Sequence, residues 1–292
     1  IKGLSSEGLL ADLEILMGGA YRPSHPGALA HLDPPPLTSS IVADLISAGL
    51  NNNLLATELS PSFSRLEKKL CSWFACRIGM PPQAGGVLAS GGSITNLMAL
   101  VVARHSAGLR DDPSAVVLAS ADSHISLSKS VGVMGLNYDS LQHVATNPQG
   151  QISIDALEES LINLQRKGRK CFAVVATAGT TVRGSIDSIV QLSQFCLREG
   201  LWLHVDGAIG GVFALVKSTS HLLKGISLAD SVSLNPQKLL GVAKTSSVLL
   251  VANKKNLTSA FGFGMPYVEP SVADNPHGGE CGLQGTRSAD VL

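Results

Sequence analysis

The feature that most constrains the fold of this chain is an alternation of short apolar segments with longer amphipathic ones. In the longer segments apolar residues recur every three or four positions, as on one face of a helix, and the short segments have the size of buried strands. Apolar strands that alternate with helices are typical of a parallel or mixed sheet covered on both faces, so we expect an α/β fold. The predicted strands lie at residues 86–89, 115–119, 172–177, 202–206, 231–234 and 247–251. The predicted helices lie at residues 37–50, 62–79, 94–108, 123–135, 154–167 and 186–200.

Charge and composition argue against several classes of partner. The 22 Lys and Arg residues balance 22 Asp and Glu residues, so no net positive charge favours nucleic acid. No apolar run approaches the roughly 20 residues that a membrane-spanning helix needs. The five cysteines match no zinc-binding spacing, which predicts free thiols in a reducing cytoplasm and no metal site. We therefore expect a cytoplasmic protein without nucleic-acid or membrane partners.

The N-terminal part of the chain differs from the rest. Residues 23–36 hold five of the 14 prolines, a density that predicts an extended, irregular arm. We predict that residues 1–60 form this arm and a helical segment, and that residues 61–292 form one large domain.

Four of the predicted strands end in residues that can carry chemistry. In open α/β sheets, ligands bind beyond the carboxyl ends of the strands. Residues 90–93, Ser-Gly-Gly-Ser, connect a strand to a helix, where close backbone approach and free N–H groups suit a phosphate. A plain structural turn is the alternative. Residues 177–181, Asp206 and residues 235–238 lie at the ends of three other strands, and we expect the four strand ends to meet in one site.

Three residues near these ends suggest a shared chemistry. Asp206 ends an apolar strand, where a carboxylate needs a cationic partner such as a pyridinium nitrogen, unless it is an N-cap or a metal ligand. Lys238 lies at the mouth of the sheet, where a lysine can form a Schiff base with an aldehyde, unless it is an ordinary surface lysine. His124 could stack on an aromatic ring or move protons, or be a helix-start histidine bonded locally. By alternation along its strand, His204 lies on the same face as Asp206.

The sequence resembles the group II pyridoxal-phosphate-dependent amino-acid decarboxylases from His25 to Asp290. This resemblance implies the type I, aspartate-aminotransferase-like fold, with a large domain built on a mostly parallel seven-stranded sheet flanked by helices. It also implies pyridoxal 5′-phosphate as cofactor, a small-molecule amino acid as substrate, a homodimer, and the absence of the family's C-terminal small domain from this chain. The matching segments, in the family's order, are residues 25–36, 58–61, 90–96, 123–124, 177–181, 204–208 and 235–238.

The resemblance implies a role for each matching residue. Lys238 is implied as the lysine of the internal aldimine, Asp206 as the partner of the pyridine nitrogen, and His124 as the residue stacked on the ring. Residues 31–36 are implied to border the substrate pocket, so residues 1–60 would border the active site. The other implied cofactor-binding residues are Gly92 and Ser93 at the phosphate, Asn235 nearby, Thr181 at the cofactor's polar edge and Ala208 against the opposite ring face.

The chain departs from the family's pattern at two places. Gln237 stands where the family usually has a His, and Gln cannot carry a charge. The stretch 270–280 contains no Tyr, although the family often places there a Tyr that protonates the product. His277 and Tyr267 are candidate substitutes, and the Gly and Pro residues of 262–285 fit a mobile lid.

These features predict α-decarboxylation of an L-amino acid. The patterns at residues 90–93 and 51–53 are more similar to glutamate, cysteine-sulfinate and diaminobutyrate decarboxylases than to aromatic ones, so we expect glutamate, aspartate, cysteine sulfinate or 2,4-diaminobutyrate as substrate. One alternative is another reaction of the same cofactor, either transamination or oxidative deamination. A second alternative is a non-catalytic homologue that binds a partner, against which Lys238, Asp206 and His124 together argue.

Overall fold

The computed structural model describes residues 3, 5–29, 32–264, 266–271 and 275–292. Within these residues one seven-stranded sheet forms the centre of the molecule, with strand order β1-β7-β6-β5-β4-β2-β3. The strands are β1 Gly85–Ala89, β2 Ala115–Ser120, β3 Leu141–Val144, β4 Lys170–Thr177, β5 Trp202–Gly207, β6 Ser231–Leu234 and β7 Ser247–Val251. The α-helices are α1 Ser6–Gly18, α2 Thr38–Leu50, α3 Pro61–Arg77, α4 Gly92–Ser106, α5 Ser126–Val133, α6 Ile154–Arg166, α7 Ile189–Glu199 and α8 Lys255–Phe261.

The sheet is mixed, and its parallel part is central. Strands β3, β2, β4, β5 and β6 pair in parallel, whereas β7 runs antiparallel to both β6 and β1. All residues of β2 and β7 are buried, because helices cover both faces. The expectation of a mostly parallel seven-stranded sheet flanked by helices is confirmed.

Among the strands and α-helices of the described structure, three were not predicted from the sequence. The edge strand β3 carries Gln142 and His143 between its two buried ends, so it lacks the continuous apolar run of the central strands. Helix α1 has no buried residue, and α8 has only seven residues. Their apolar patterns are correspondingly weak or short.

The N-terminal arm lies alongside the segment that follows β6. The backbone N–H of Leu37 donates to the carbonyl of Gly241 at 2.8 Å, and Lys244 Nζ lies 2.9 Å from Asp33 Oδ1. In the segment 31–36, His31 lies outside the described residues. The arm therefore approaches the segment 238–245, which begins at Lys238.

Three further facts about the described residues concern membrane-spanning helices, metal ligands and cysteines. No helix among them is long and apolar enough to span a bilayer, and no three of their His, Cys, Asp or Glu side chains cluster as metal ligands would. The five cysteines, all within the described residues, are free thiols.

Candidate active site

A cavity of about 390 Å³ lies where the carboxyl ends of the central strands meet the start of α4. Residues from all four of the predicted strand ends contribute to it, as does His124. The eight residues predicted to bind a cofactor or act in catalysis all line this one cavity. The lining residues are Ser90, Gly91, Gly92, Ser93, Ile94, Asn96, His124, Thr177, Gly179, Thr180, Thr181, Asp206, Ala208, Ile209, Asn235, Gln237 and Lys238.

The turn that begins α4 has no room for a side chain at Gly92. A Cβ there would lie 3.0 Å from the amide of Asn235 and 3.4 Å from the Cβ of Ala208. Oriented to satisfy both its ends, the buried Asn235 amide donates to Ser247 Oγ at 2.9 Å and accepts from the Gly92 N–H at 3.2 Å. Asn235 thus fixes the backbone turn, while exposed Ser93 follows in the first turn of the helix.

The carboxylate of Asp206 is held at the end of β5 by two hydrogen-bond donors, and a serine hydroxyl lies beside it. Oδ2 accepts from Asn96 Nδ2 at 2.7 Å, and Oδ1 accepts from the Ala208 N–H at 3.1 Å. Ser233 Oγ lies 3.4 Å from Oδ1 and is nearer, at 3.2 Å, to Asn96 Oδ1. The residue is buried. These contacts fix the carboxylate at the end of β5, where it lines the cavity.

The amine of Lys238 lies in a half-buried position after β6. Its backbone N–H donates to the Asn235 carbonyl at 3.0 Å, which closes a turn directly after the strand. Burial lowers the pKa of Lys238, and the carboxylates of Asp206 and Asp33 partly oppose that shift. A lowered pKa increases the fraction of free amine, which is the nucleophilic form.

The imidazole of His124 is fixed through one of its nitrogens. Nδ1 accepts from the backbone N–H of Ser126 at 3.2 Å and lies 2.9 Å from Ser126 Oγ. The alternative that His124 is bonded locally at a helix start is therefore correct, yet the same residue also lines the cavity. The two interpretations are compatible.

Sequence reasoning placed Asn96 and Thr177 in matching segments but gave neither residue a role in the cavity. Asn96 stood in a matching segment without a role, although it is a buried polar residue among the apolar side chains of α4. Thr177 is also buried, and its hydroxyl makes no hydrogen bond within the described residues. A polar residue in an otherwise apolar helix or strand was the available signal for both.

The residues at the two departures from the family pattern lie in different places. Gln237 lines the cavity, and its Oε1 accepts from the Ser246 N–H at 2.6 Å. His277 is buried elsewhere: its Nδ1 accepts from the Thr57 N–H at 3.1 Å, and its Nε2 donates to the Glu269 carbonyl at 2.7 Å. Tyr267 is exposed and, like His277, does not line the cavity. The structure of this chain does not support either as a proton donor there; residues 272–274 of that stretch lie outside the described part.

Comparison with known proteins gives one family and several relatives. The model of the family described as "Pyridoxal-dependent decarboxylase conserved domain" matches residues 2–287. An aromatic-L-amino-acid decarboxylase of Bacillus atrophaeus is 33% identical, over 92% of this chain and 56% of that protein. An L-2,4-diaminobutyrate decarboxylase of Rhizobium meliloti is 32% identical, over 92% of this chain and 54% of that protein. A crystal structure of mouse CSAD is 30% identical with a TM-score of 0.94, over 100% of this chain and 62% of that one.

The chain spans little more than half the length of these relatives. Its cavity nevertheless has a feature for each part of pyridoxal phosphate, which carries a phosphate, an aldehyde and a flat ring. A Cβ at Gly92 would crowd Asn235 and Ala208, so the backbone there lines the cavity without a side chain. Lys238 offers an amine, Asp206 offers a carboxylate to a ring nitrogen, and the Thr177 hydroxyl has no partner among the described residues. The residues present fit the cofactor, and with the family match over nearly the whole sequence the chain belongs to the pyridoxal-dependent decarboxylase family.

Proposed function

We propose that the protein containing this chain decarboxylates an L-amino acid with pyridoxal phosphate held on Lys238. The observation that carries the proposal is the meeting of Lys238, Asp206, His124 and the Gly92 turn in one cavity. The bound cofactor supplies an electron sink for the pair of electrons left when carbon dioxide departs.

The side chains of this chain would divide the work of holding the cofactor. Lys238, whose lowered pKa favours the free amine, would hold the cofactor at its aldehyde. Asp206 would pair with the ring nitrogen, and His124 would stack on the ring. Gly92 and Ser93, at the start of α4, would border the phosphate, and the Ser93 N–H would donate to it because the Gly92 N–H already donates to Asn235. Thr181 would contact the cofactor's polar edge, and Ala208 would lie against the opposite face of the ring. Asn235 would hold the Gly92 turn.

A polar substrate suits the cavity better than an aromatic one. The described lining contains no Phe, Tyr or Trp, and its largest apolar side chains are Ile94 and Ile209. An aromatic substrate would gain affinity by burying its ring against such side chains. The relatives carry both kinds of name. The lining without aromatic side chains supports our proposal of glutamate, aspartate, cysteine sulfinate or 2,4-diaminobutyrate.

A carbon dioxide release assay on the full-length protein tests this proposal. We expect release with at least one of these four amino acids and little with aromatic ones. Lys238→Ala should lose both release and the cofactor's absorbance band, whereas the exposed Lys224→Ala should retain both. Aldehyde with ammonia, in place of amine, would instead establish oxidative deamination, and keto acid with the amino group passed to a second keto acid would establish transamination. A wild-type protein without any cofactor band would favour the non-catalytic homologue.

The proposed homodimer rests on the N-terminal segment of residues 1–60. Helices α1 and α2 bury almost none of their apolar side chains against the rest of this chain. A monomer rarely exposes so many apolar side chains close together. Sedimentation of the full-length protein should give twice the mass of one chain, and a monomer would contradict the proposal. The exposed apolar side chains of the two helices include Leu9, Leu10, Leu13, Ile15, Leu16, Ile41, Val42, Leu45 and Ile46.

A further inference from the structure

One amide in the core of the molecule contacts four polar side chains. Asn96 Nδ2 donates to Asp206 Oδ2 at 2.7 Å and to Ser126 Oγ at 3.0 Å. Its Oδ1 accepts from His204 Nε2 at 3.1 Å and from Ser233 Oγ at 3.2 Å. Asn96 is buried, and an Asn side chain has two donor hydrogens and two acceptor lone pairs. Every hydrogen-bonding position of this amide is therefore used.

The contacts of Asn96 fix the proton on His204. Because both amide hydrogens are used elsewhere, Oδ1 can only accept, so His204 Nε2 must carry the hydrogen. His204 Nδ1 then accepts from Ser231 Oγ at 2.8 Å, which in turn accepts from Trp202 Nε1 at 2.8 Å. Burial lowers the pKa of this fully buried imidazole to about 4, although the Asp206 charge acts in the opposite direction. His204 is thus a neutral donor of fixed tautomer.

The second hydrogen of the Asn96 amide fixes His124. Ser126 Oγ receives that hydrogen, so its own hydrogen is free to go to His124 Nδ1 at 2.9 Å. Since the Ser126 N–H also points at Nδ1, that nitrogen carries no hydrogen, and neutral His124 has its proton on Nε2. One amide therefore connects the carboxylate of Asp206 with the imidazole of His124.

We infer that Asn96, oriented by His204, is a positioning residue that holds Asp206 and His124 in place for pyridoxal phosphate. The inference rests on the roles proposed for Asp206 and His124. An amide suits this task because it donates to the carboxylate without adding a charge or sharing a proton. The hydrogen on His204 Nε2 keeps the Asn96 amide in this orientation. A rotated amide would place the Asn96 oxygen against the Asp206 carboxylate.

Substitution of Asn96 tests the role directly on the full-length apo-protein. Asn96→Asp keeps the size of the side chain but turns the donor that faces Asp206 into a second carboxylate. The lost charge-assisted hydrogen bond should weaken pyridoxal phosphate binding by about 10- to 100-fold. The added negative charge should also move the pH midpoint of the bound cofactor's absorbance upward. Asn163→Asp, on an exposed part of α6, is the matched control and should change neither quantity.

Two substitutions of His204 separate positioning from packing. A Gln amide nitrogen reaches about the place of imidazole Nε2, so His204→Gln can still donate to Asn96, whereas His204→Phe cannot. We expect His204→Gln to bind the cofactor more tightly than His204→Phe. Equal affinity in the two variants, or wild-type affinity and midpoint in a folded Asn96→Asp, would overturn the inference. Should these core variants not fold, Ser126→Ala removes a single hydroxyl, and an unchanged absorbance midpoint in it would also overturn the inference.

The same titrations distinguish this inference from the proposed function. If wild-type apo-protein takes up no pyridoxal phosphate, the proposed function fails. If the wild type takes it up through Lys238 while the Asn96 and His204 variants bind it equally well, only the positioning role fails.

Discussion

At the scale of single residues, the reactivity of Lys238 is set by opposing influences. Burial lowers the pKa of its amine, while the nearby carboxylates of Asp206 and Asp33 raise it. Asp33 reaches this position because the N-terminal arm lies along the segment after Lys238, where Lys244 Nζ holds it at 2.9 Å. The arm therefore affects the chemistry of a lysine more than 200 residues away in sequence.

Removing the charge of Asp33 should make Lys238 react at lower pH. In Asp33→Asn the ammonium form loses a stabilising carboxylate, so the pKa of Lys238 should fall further. Only the free amine attacks an aldehyde, so the pH midpoint for the rate of pyridoxal phosphate uptake by apo-protein should move downward. Asp44→Asn, on the exposed face of α2, is the control. An unchanged or higher midpoint in Asp33→Asn would mean that Asp33 does not act on the lysine.

His204 should make the stability of the fold depend on pH. Its pKa is about 4 in the folded chain and near the ordinary value of 6.5 when unfolded. Between these values the unfolded chain binds the extra proton, so stability falls as the pH drops, by up to about 1.4 kcal/mol per pH unit. Urea unfolding at a series of pH values should show a smaller slope for His204→Gln between pH 4 and 6.5. The exposed His221→Gln should leave the slope unaltered, and an equal slope in both variants would refute the assignment.

The sequence was sufficient to find the residues at strand ends, but not those that hold them. Lys238, Asp206 and His124 each lie at or just after the end of a predicted strand. Parallel strands bring their carboxyl ends to one edge of the sheet. Asn96 contacts Asp206 and His204 across 110 and 108 residues of sequence. Such partners are decided by how α4 packs on the sheet, which no local pattern encodes.

At the scale of elements, the boundary of α7 shows how a buried side chain overrides an apolar pattern. The spacing predicted a helix from residue 186, whereas α7 begins at Ile189. Asp187 is buried; its Oδ1 accepts from the Ile152 N–H and its Oδ2 from the Thr177 N–H, both at 2.7 Å. These bonds hold the chain in a non-helical conformation and tie it to the end of β4.

Asp187→Asn should destabilise the fold although it hardly changes the side chain's size. Asn has a single acceptor oxygen, so one of the two backbone N–H groups would face an NH2 group instead. Leaving such a buried donor unsatisfied costs about 1–3 kcal/mol, which chemical denaturation can measure. The same substitution at exposed Asp12, on α1, should have no measurable effect. A loss of stability of similar size at both positions would argue against this role for the two hydrogen bonds of Asp187.

At the scale of the whole molecule, one buried ion pair joins segments far apart in the chain. Arg287 Nη1 and Nη2 lie 2.7 and 3.1 Å from the two carboxylate oxygens of Glu67 on α3. Both partners also bond the backbone of Leu88: Glu67 Oε1 accepts from its N–H at 2.9 Å, and Arg287 Nη1 donates to its carbonyl at 3.2 Å. The pair thereby fixes β1, the strand that leads into the Gly92 turn.

A double-mutant cycle should show that the two charges of this pair depend on each other. Removing one partner leaves a buried charge without compensation, so Glu67→Leu or Arg287→Met alone should cost about 3–5 kcal/mol. The double variant leaves no buried charge, so its loss of stability should be far smaller than the sum of the two single losses.

The exposed pair of Arg198 and Glu158, at 2.6 Å, provides the contrast for that cycle. Water screens these charges, so Glu158→Leu, Arg198→Met and their double variant should each change stability by less than about 1 kcal/mol. Additive losses at Glu67 and Arg287 would mean that each acts only through its own bond to Leu88. Because Leu88 precedes the phosphate turn by only a few residues, the single variants should also bind pyridoxal phosphate more weakly, and the double variant should recover affinity together with stability. Recovery of stability without recovery of affinity would show that β1 needs the hydrogen bonds to Leu88, and not merely the balance of charge, to place that turn.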